Sequence, residues 1–288
     1  MPDRTRARLR ARDMTSVGQP GERARADSPP TQLECLLPPG APAAAAEIVE
    51  AFGLWERPAD TGARPRVLLN MVSTVDGRAS LAGRSGTISS TSDRELFHAL
   101  RAAVDGVLVG AGTVRKERYG RMIPAPETRE LRVQRGLSAE PLACIVSGRL
   151  ALESDLPLLQ EPEARVVVLT TSTASLPAPV AEVEYVRCER DGSLALEAAL
   201  GELRERFAVR TLLCEGGPHL ARELLAGGLL DELYLSLSPM LAGGEPSGGE
   251  ALRILAGAEL AAPVPLELAG VLRSASSLFL RYEIGAPA

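Results

Sequence analysis

Lysine is almost missing from this chain. Lys116 is the only one, so arginine carries nearly all the positive charge, a pattern that reads as coding bias rather than chemistry. Aromatic residues are scarce at 3%, which argues against nucleic-acid binding through rows of stacked bases. The net charge of −5 and pI near 5.4 argue equally against a phosphate-backbone binder. No apolar run approaches the ~18 to 20 residues of a membrane span, because Arg, Glu, Gly or Pro interrupts each one. The four cysteines (Cys35, Cys144, Cys188 and Cys214) form no C-x-x-C pair, and the two histidines, His98 and His219, are far apart. Metal-ligand spacing is therefore absent, and no metal is expected. Cys144 and Cys214 sit inside apolar runs, where cysteine behaves as a small hydrophobe. No charged-then-apolar leader is visible, so a reducing, cytoplasmic setting is expected.

What is present is an ordinary globular composition: 288 residues, 45% apolar and 24% charged. Residues 1–30 carry seven arginines against four acids with no apolar period, and a disordered tail is expected there. Residues 31–63 read as an N-terminal extension with a short helix over 42–54, Pro42 lying in its first turn. Residues 64–288 read as one domain.

Within that domain, β-rich apolar runs at 67–72, 106–110, 142–147, 165–171, 183–188, 210–215 and 232–240 alternate with helical patterns. Runs that are apolar on both faces belong to a sheet covered on both sides. A helix over 93–104 is expected from a Ser92/Glu95 capping box and a Leu96, Ala99, Leu100, Ala103 stripe. A second, over about 194–207, has Ser193 as its cap, and a third opens at Gly216-Gly217-Pro218. A last pair of runs within 266–284 alternates with period two, as antiparallel strands do. The expected fold is α/β: a mixed, mostly parallel central sheet with helices on both faces.

The chemistry is concentrated where strands run into glycine. Leu213-Cys214-Glu215-Gly216-Gly217-Pro218 takes a strand directly into a helix. Such a turn lets backbone amides approach an anion at a helix N-terminus, a cradle for phosphate; a tight turn with no ligand fits equally. Val109-Gly110-Ala111-Gly112-Thr113 repeats the pattern, with Thr113 either a cap or a ligand contact. Two such strand ends in one sheet suit an extended nucleotide. Asp76-Gly77 and the flexible Gly83–Thr87 stretch form a candidate lid, or simply turns. Ser147-Gly148-Arg149, with Thr170-Thr171 on the next strand end, offers donors to a 2′-phosphate, or a solvated turn. There is no G-x-G-x-x-G, no G-x-x-x-x-G-K-[ST] and no G-x-S-x-G. Nucleotide-cradling ends without an obvious nucleophile suit an enzyme whose cofactor carries the chemistry.

The order Asn70-x-x-x-[ST]-x-Asp76-Gly77, Ile88-Ser89-Ser90, Leu100-Arg101-Ala102, Asp105 through Thr113, Glu215-Gly216-Gly217 and Asp231-Glu232-Leu233 resembles the pyrimidine reductase domain of riboflavin biosynthesis. That family is related in fold to dihydrofolate reductase, and the resemblance spans about 64–284. It implies a homodimer that reduces 5-amino-6-(5-phosphoribosylamino)uracil with NADPH, hydride going to C1′ of the open-chain imine. By family position, Thr113, Glu117, Ser147, Gly216, Gly217, Pro218 and His219 fall on the cofactor side, with Thr87 towards the nicotinamide, and the strand-end turns add Gly110 and Arg149 as candidate cofactor contacts. Ser85, Arg101 and Glu215 fall where the family binds substrate, Asn70 is a further candidate substrate contact, and Asp76 and Glu215 are the candidate catalytic carboxylates. Two departures stand out. Thr74-Val75-Asp76-Gly77 replaces the common Ser-Leu-Asp-Gly, and Glu117-Arg118-Tyr119-Gly120-Arg121 replaces the Asp-Pro-x-Leu-x-x-Arg segment that helps hold the phosphorylated ribose. The upstream zinc deaminase motifs H-x-E and P-C-x-x-C do not occur, so a reductase alone is expected, with no nucleic-acid or membrane partner. The alternatives are a reductase of another pteridine-, folate- or pyrimidine-like substrate, and a nucleotide-binding protein without turnover.

Overall fold

The computed structural model describes residues 30–56, 62–81, 83–244 and 252–285. The tail expected over residues 1–30 lies, Pro30 apart, outside the described residues. In chain order the elements are β1 (Gln32–Leu37), β2 (Ala43–Ala44), α1 (Ala45–Ala51), β3 (Arg66–Thr74), α2 (Thr91–Ala103), β4 (Gly106–Gly110), α3 (Ala111–Glu117), α4 (Pro126–Gln134), β5 (Leu142–Val146), β6 (Arg165–Thr170) and β7 (Glu182–Arg187). There follow β8 (Glu189–Arg190), β9 (Ser193–Leu194), α5 (Leu196–Phe207), β10 (Thr211–Cys214), α6 (Pro218–Ala226), β11 (Glu232–Ser238), β12 (Leu266–Ser274) and β13 (Ser277–Ile284).

One 11-stranded sheet has the order β2-β1-β12-β13-β11-β3-β10-β4-β5-β6-β7. From β11 to β7 neighbouring strands are parallel; β13, β12, β1 and β2 extend the other side antiparallel. The mixed sheet is thus built as the apolar runs require. Along each parallel strand, alternate residues enter opposite cores: Val107 and Val109 of β4 face one, Leu108 the other. The first core receives Ile48 and Val49 of α1, Leu96 and Leu100 of α2 and Val114 of α3. The second receives Ala199, Leu200 and Leu203 of α5 and Leu220, Ala221 and Leu224 of α6. Both faces are covered. The described part of residues 31–63, read as an extension, adds β1 to β12 through Cys35↔Leu272 and places Leu33 in the first core.

Three local details differ from expectation. Ser90, not Ser92, caps α2: its Oγ accepts from the Asp93 N–H at 3.1 Å. Ser92 instead pairs with Ser274 at 2.8 Å, and Glu95 accepts the Thr31 N–H at 3.0 Å, so both members of the expected box serve tertiary contacts. Ser193 does not cap α5; it pairs with Arg190 in a two-stranded turn, and Ala195 takes the cap position. Pro42 precedes β2, and α1 starts only at Ala45.

Candidate active site

The carboxyl ends of β3, β4 and β10 open on one cleft of about 510 Å³, walled by α2, α3 and the start of α6. This is where ligands bind in open α/β sheets. Four residues of α2 line it, Arg94 and, at four-residue spacing along one stripe of the helix, Asp93, Phe97 and Arg101. The far end of α2 is held by Arg132, which is fully buried and donates to the Arg101, Ala102 and Val104 carbonyls at 3.2, 2.8 and 2.9 Å. Burial lowers the Arg132 pKa to about 10.

At the cleft floor Glu215 accepts two N–H bonds from Arg101, Nε to Oε1 at 2.5 Å and Nη2 to Oε2 at 2.6 Å. Tyr119 donates its hydroxyl to the same Oε2 at 2.7 Å. The Arg101 guanidinium also lies over the Phe97 ring at 4.2 Å from its centroid. Burial alone would lower the Arg101 pKa, but the Glu215 carboxylate outweighs it and holds the guanidinium charged above its ordinary value. Burial, reinforced by the Glu215 charge, raises the Tyr119 pKa. Glu215 is therefore a fixed acceptor in a dry wall, and Tyr119 keeps its proton.

The two glycine turns meet. Gly110 donates its N–H to the Gly216 carbonyl at 3.1 Å, and Gly217 donates to Thr113 Oγ1 at 3.1 Å. A Cβ on Gly217 would lie 3.1 Å from that hydroxyl, and one on Gly216, at φ +89°, 3.2 Å from the Met71 sulfur. Thr113 thus sits within α3 and clamps the turns; it is not a cap. The Gly217 amide is engaged inside the protein, so the donors left at this turn are the His219 and Leu220 amides in the first turn of α6. Neither α3 nor α6 has a side-chain cap, and both starts border the cleft. A Cβ on Gly112 would meet nothing within 4 Å. Two uncapped helix starts beside open backbone fit the phosphates of a dinucleotide.

Of the residues singled out in the sequence, Asn70, Ser85, Arg101, Gly110, Thr113, Glu117, Glu215, Gly216, Gly217, Pro218 and His219 line this cleft. Glu117 accepts both the Ser85 N–H and its hydroxyl at 3.2 Å, tying the glycine-rich loop to α3. Asp76, Thr87, Ser147 and Arg149 are not among the lining residues. Asp76 accepts from Thr74 Oγ1 at 2.5 Å and from the Gly243 and Ala242 amides at 2.7 and 3.1 Å. Those bonds, the Thr74 hydroxyl first, lower its pKa to about 2. Thr87 donates to the Arg84 carbonyl, and Ser147 Oγ accepts the Ala151 N–H. The Thr170 and Thr171 hydroxyls both donate to the Gly148 carbonyl, at 2.9 and 3.0 Å, while Arg149 is exposed. Sequence reasoning missed Phe97, Asp93, Tyr119 and Lys116 as cleft residues. The four-residue step from Arg101 back along its helix reaches the first two; nothing local marks Tyr119.

A parallel-strand cleft with two uncapped helix starts and a locked carboxylate has the form of a nucleotide-accepting site in a mixed α/β sheet. The RibD C-terminal domain model matches residues 65–275, and the chain belongs to that family of oxidoreductases. It is 31% identical over 190 residues to the 2,5-diamino-6-ribosylamino-4(3H)-pyrimidinone 5′-phosphate reductase of Archaeoglobus fulgidus, covering 64% of this chain and 84% of that protein. With the reductase of the same name from Methanothermobacter thermautotrophicus it shares 29% identity over 228 residues, 77% of this chain and 99% of that one. In three dimensions it is similar to a pyrimidine reductase-like protein from Corynebacterium diphtheriae, with a TM-score of 0.67 at 22% identity, over 85% of this chain and 100% of that one. That likeness concerns the fold. Among the described residues no helix is long and apolar enough to cross a membrane.

Proposed function

We propose that this protein reduces a 6-ribosylamino-pyrimidine 5′-phosphate with NADPH, acting as a homodimer in the cytoplasm. The observation that carries this reading is the junction of the two glycine turns, where uncapped α3 and α6 face the fixed Glu215 carboxylate across one cleft. The ribosylamino phosphate is common to the uracil expected from the sequence and to the 2,5-diaminopyrimidinone for which the two archaeal relatives are named. Those relatives favour the diaminopyrimidinone as the base.

NADPH, when bound, supplies the hydride that converts the open-chain imine at C1′ to the ribityl amine. The chain's own task is to hold and orient, which is worth up to ~7–11 kcal/mol of barrier. The first-turn amides of α6, with Pro218, His219, Gly110 and Thr113 around them, hold the cofactor phosphates. Ser147 and Arg149, at the end of β5, take its 2′-phosphate end, where the exposed Arg149 guanidinium is the available cation. Thr87 and Glu117 border the nicotinamide side. Asn70, Ser85 and Glu215 contact the substrate, Glu215 accepting from an amino group of the base while Arg101 and Tyr119 hold it in place. Asp76, engaged by Thr74 and Gly243, holds the loop after β3 in place, and the proton comes from solvent.

The test is NADPH oxidation with both phosphoribosylamino-pyrimidines beside dihydrofolate. Stoichiometric oxidation with a pyrimidine is expected. Oxidation with dihydrofolate alone would move the protein to another substrate class, and none with any of them would leave a nucleotide binder.

A further inference from the structure

We propose that Lys116 and the backbone of the Gly83–Gly86 stretch form the subsite for the substrate's ribose 5′-phosphate. This rests on the pyrimidine reading above. The segment after Thr113, where the resemblance places a phosphate-holding Asp-Pro-x-Leu-x-x-Arg, here reads Glu117-Arg118-Tyr119-Gly120-Arg121. Its two arginines are committed elsewhere. Arg121 is held by Glu140, Glu161 and Glu163, and Arg118 faces Asp155 at 3.4 Å. A phosphate needs another cation.

The arginine and lysine side chains that line the cleft are Arg94, Arg101 and Lys116. Arg101 is neutralised by Glu215, and Arg94 donates to the Ser89 carbonyl and the Thr91 hydroxyl at the start of its own helix. Lys116 is exposed on the last turn of α3 and, among the described residues, has no acceptor. Its neighbour Glu117 holds Ser85, which fixes the glycine-rich loop against that same turn. Gly83 and Gly86 both border the cleft there, and a Cβ on either would meet nothing within 4 Å. Among the described residues the Gly86 amide has no acceptor. A compact ammonium and a free backbone N–H lining one cleft are donor chemistry for a phosphate. The one lysine in a chain otherwise built with arginine therefore stands where a point charge is useful.

That lysine makes the site readable without turnover. Reductive methylation with carbon-13 formaldehyde labels only Lys116 and the α-amino group of the chain. Ribose 5-phosphate is expected to shift the lysine resonance saturably and to slow amine acylation in proportion to occupancy, while ribose does neither. A response to adenosine 2′,5′-bisphosphate in its place, or to neither phosphate, overturns the proposal. In steady-state assays Lys116→Met is expected to raise KM for the phosphorylated pyrimidine by ~10- to 100-fold with kcat and the KM for NADPH unchanged. Lys116→Arg should recover most of the loss, and an unchanged KM in the Met variant overturns the assignment. Protection by ribose 5-phosphate in a protein that oxidises no NADPH with either pyrimidine would uphold the phosphate subsite and reject the substrate reading.

Discussion

Glu215 and Glu232 are buried carboxylates with the same kind of company. Glu215, its side chain 1% exposed, is met by Arg101 and the Tyr119 hydroxyl. Glu232, 3% exposed, is met by Arg281 and Arg66 and by the Tyr234 hydroxyl at 3.0 Å. Their surroundings differ. Glu215 stands at the carboxyl end of β10, on the wall of the 510 Å³ cleft. Glu232 begins β11, and the space beside Tyr234 and Arg281 is only about 10 Å³. An arginine–carboxylate–tyrosine cluster is thus not itself a site. Room for a ligand next to it, and helix starts without caps across that room, make the difference.

The largest effects separate the two carboxylates. Glu215→Gln leaves the buried Arg101 short of its counter-charge and is expected to lose ~3–5 kcal/mol of stability in denaturant titrations, and Glu232→Gln, whose partners Arg66 and Arg281 are half-buried, less than that. Only Glu215→Gln should also lower kcat/KM, by ~100-fold, which corresponds to about 2.7 kcal/mol. An equal loss of turnover in folded Glu232→Gln would break the comparison. The tyrosines sharpen it at smaller scale. Tyr119→Phe and Tyr234→Phe each remove one donor to a buried carboxylate, for a loss of ~1 kcal/mol in stability. KM for the pyrimidine should rise several-fold in the first and stay constant in the second.

The smallest effect concerns Asp76, an exposed carboxylate whose bonds tie one loop to another. Folding lowers its pKa from 3.8 to about 2, so its contribution is complete above about pH 4 and lost as pH falls through about 2. Asp76→Asn should therefore narrow the acid-unfolding difference over that window and leave stability at neutral pH, relative to pH 5, unshifted. A variant that unfolds in acid as the natural protein does would show that the Thr74 and Gly243 bonds hold the loop without the charge.

The two α2 caps show how far local reading goes. Ser90-x-x-Asp93 and Ser92-x-x-Glu95 offer overlapping starts for one helix, and the apolar stripe accepts either. The choice is made by Thr31 and Ser274, distant in sequence, which occupy Glu95 and Ser92 and leave Ser90 to the helix. Ser193 is similar: a cap by position, but drawn into the β8–β9 turn. The glycine turns were legible as turns, because a strand that runs into glycine ahead of a helical pattern has to bend there; whether a ligand sits at them was open. Their hydrogen bond to each other, and the loss of the Gly217 amide to Thr113, were not legible.

By itself the sequence determined the strands β3 to β7 and β10 to β13, the two covered faces of the sheet and the glycine-lined strand ends, while β1, β2, β8 and β9 were not legible in it. It could do so because period-two burial and glycine conformational freedom act between near neighbours in the chain. Only the tertiary structure decided which polar groups remain available. Tyr119 reaches Glu215 across 96 positions, and Asp76 and Gly217 are claimed from 167 and 104 positions away. Lys116 is left without a partner among the described residues. Hydrogen-bond donors and charges are satisfied by whatever folding brings within about 3 Å, and that is a property of the packed chain rather than of any segment of it.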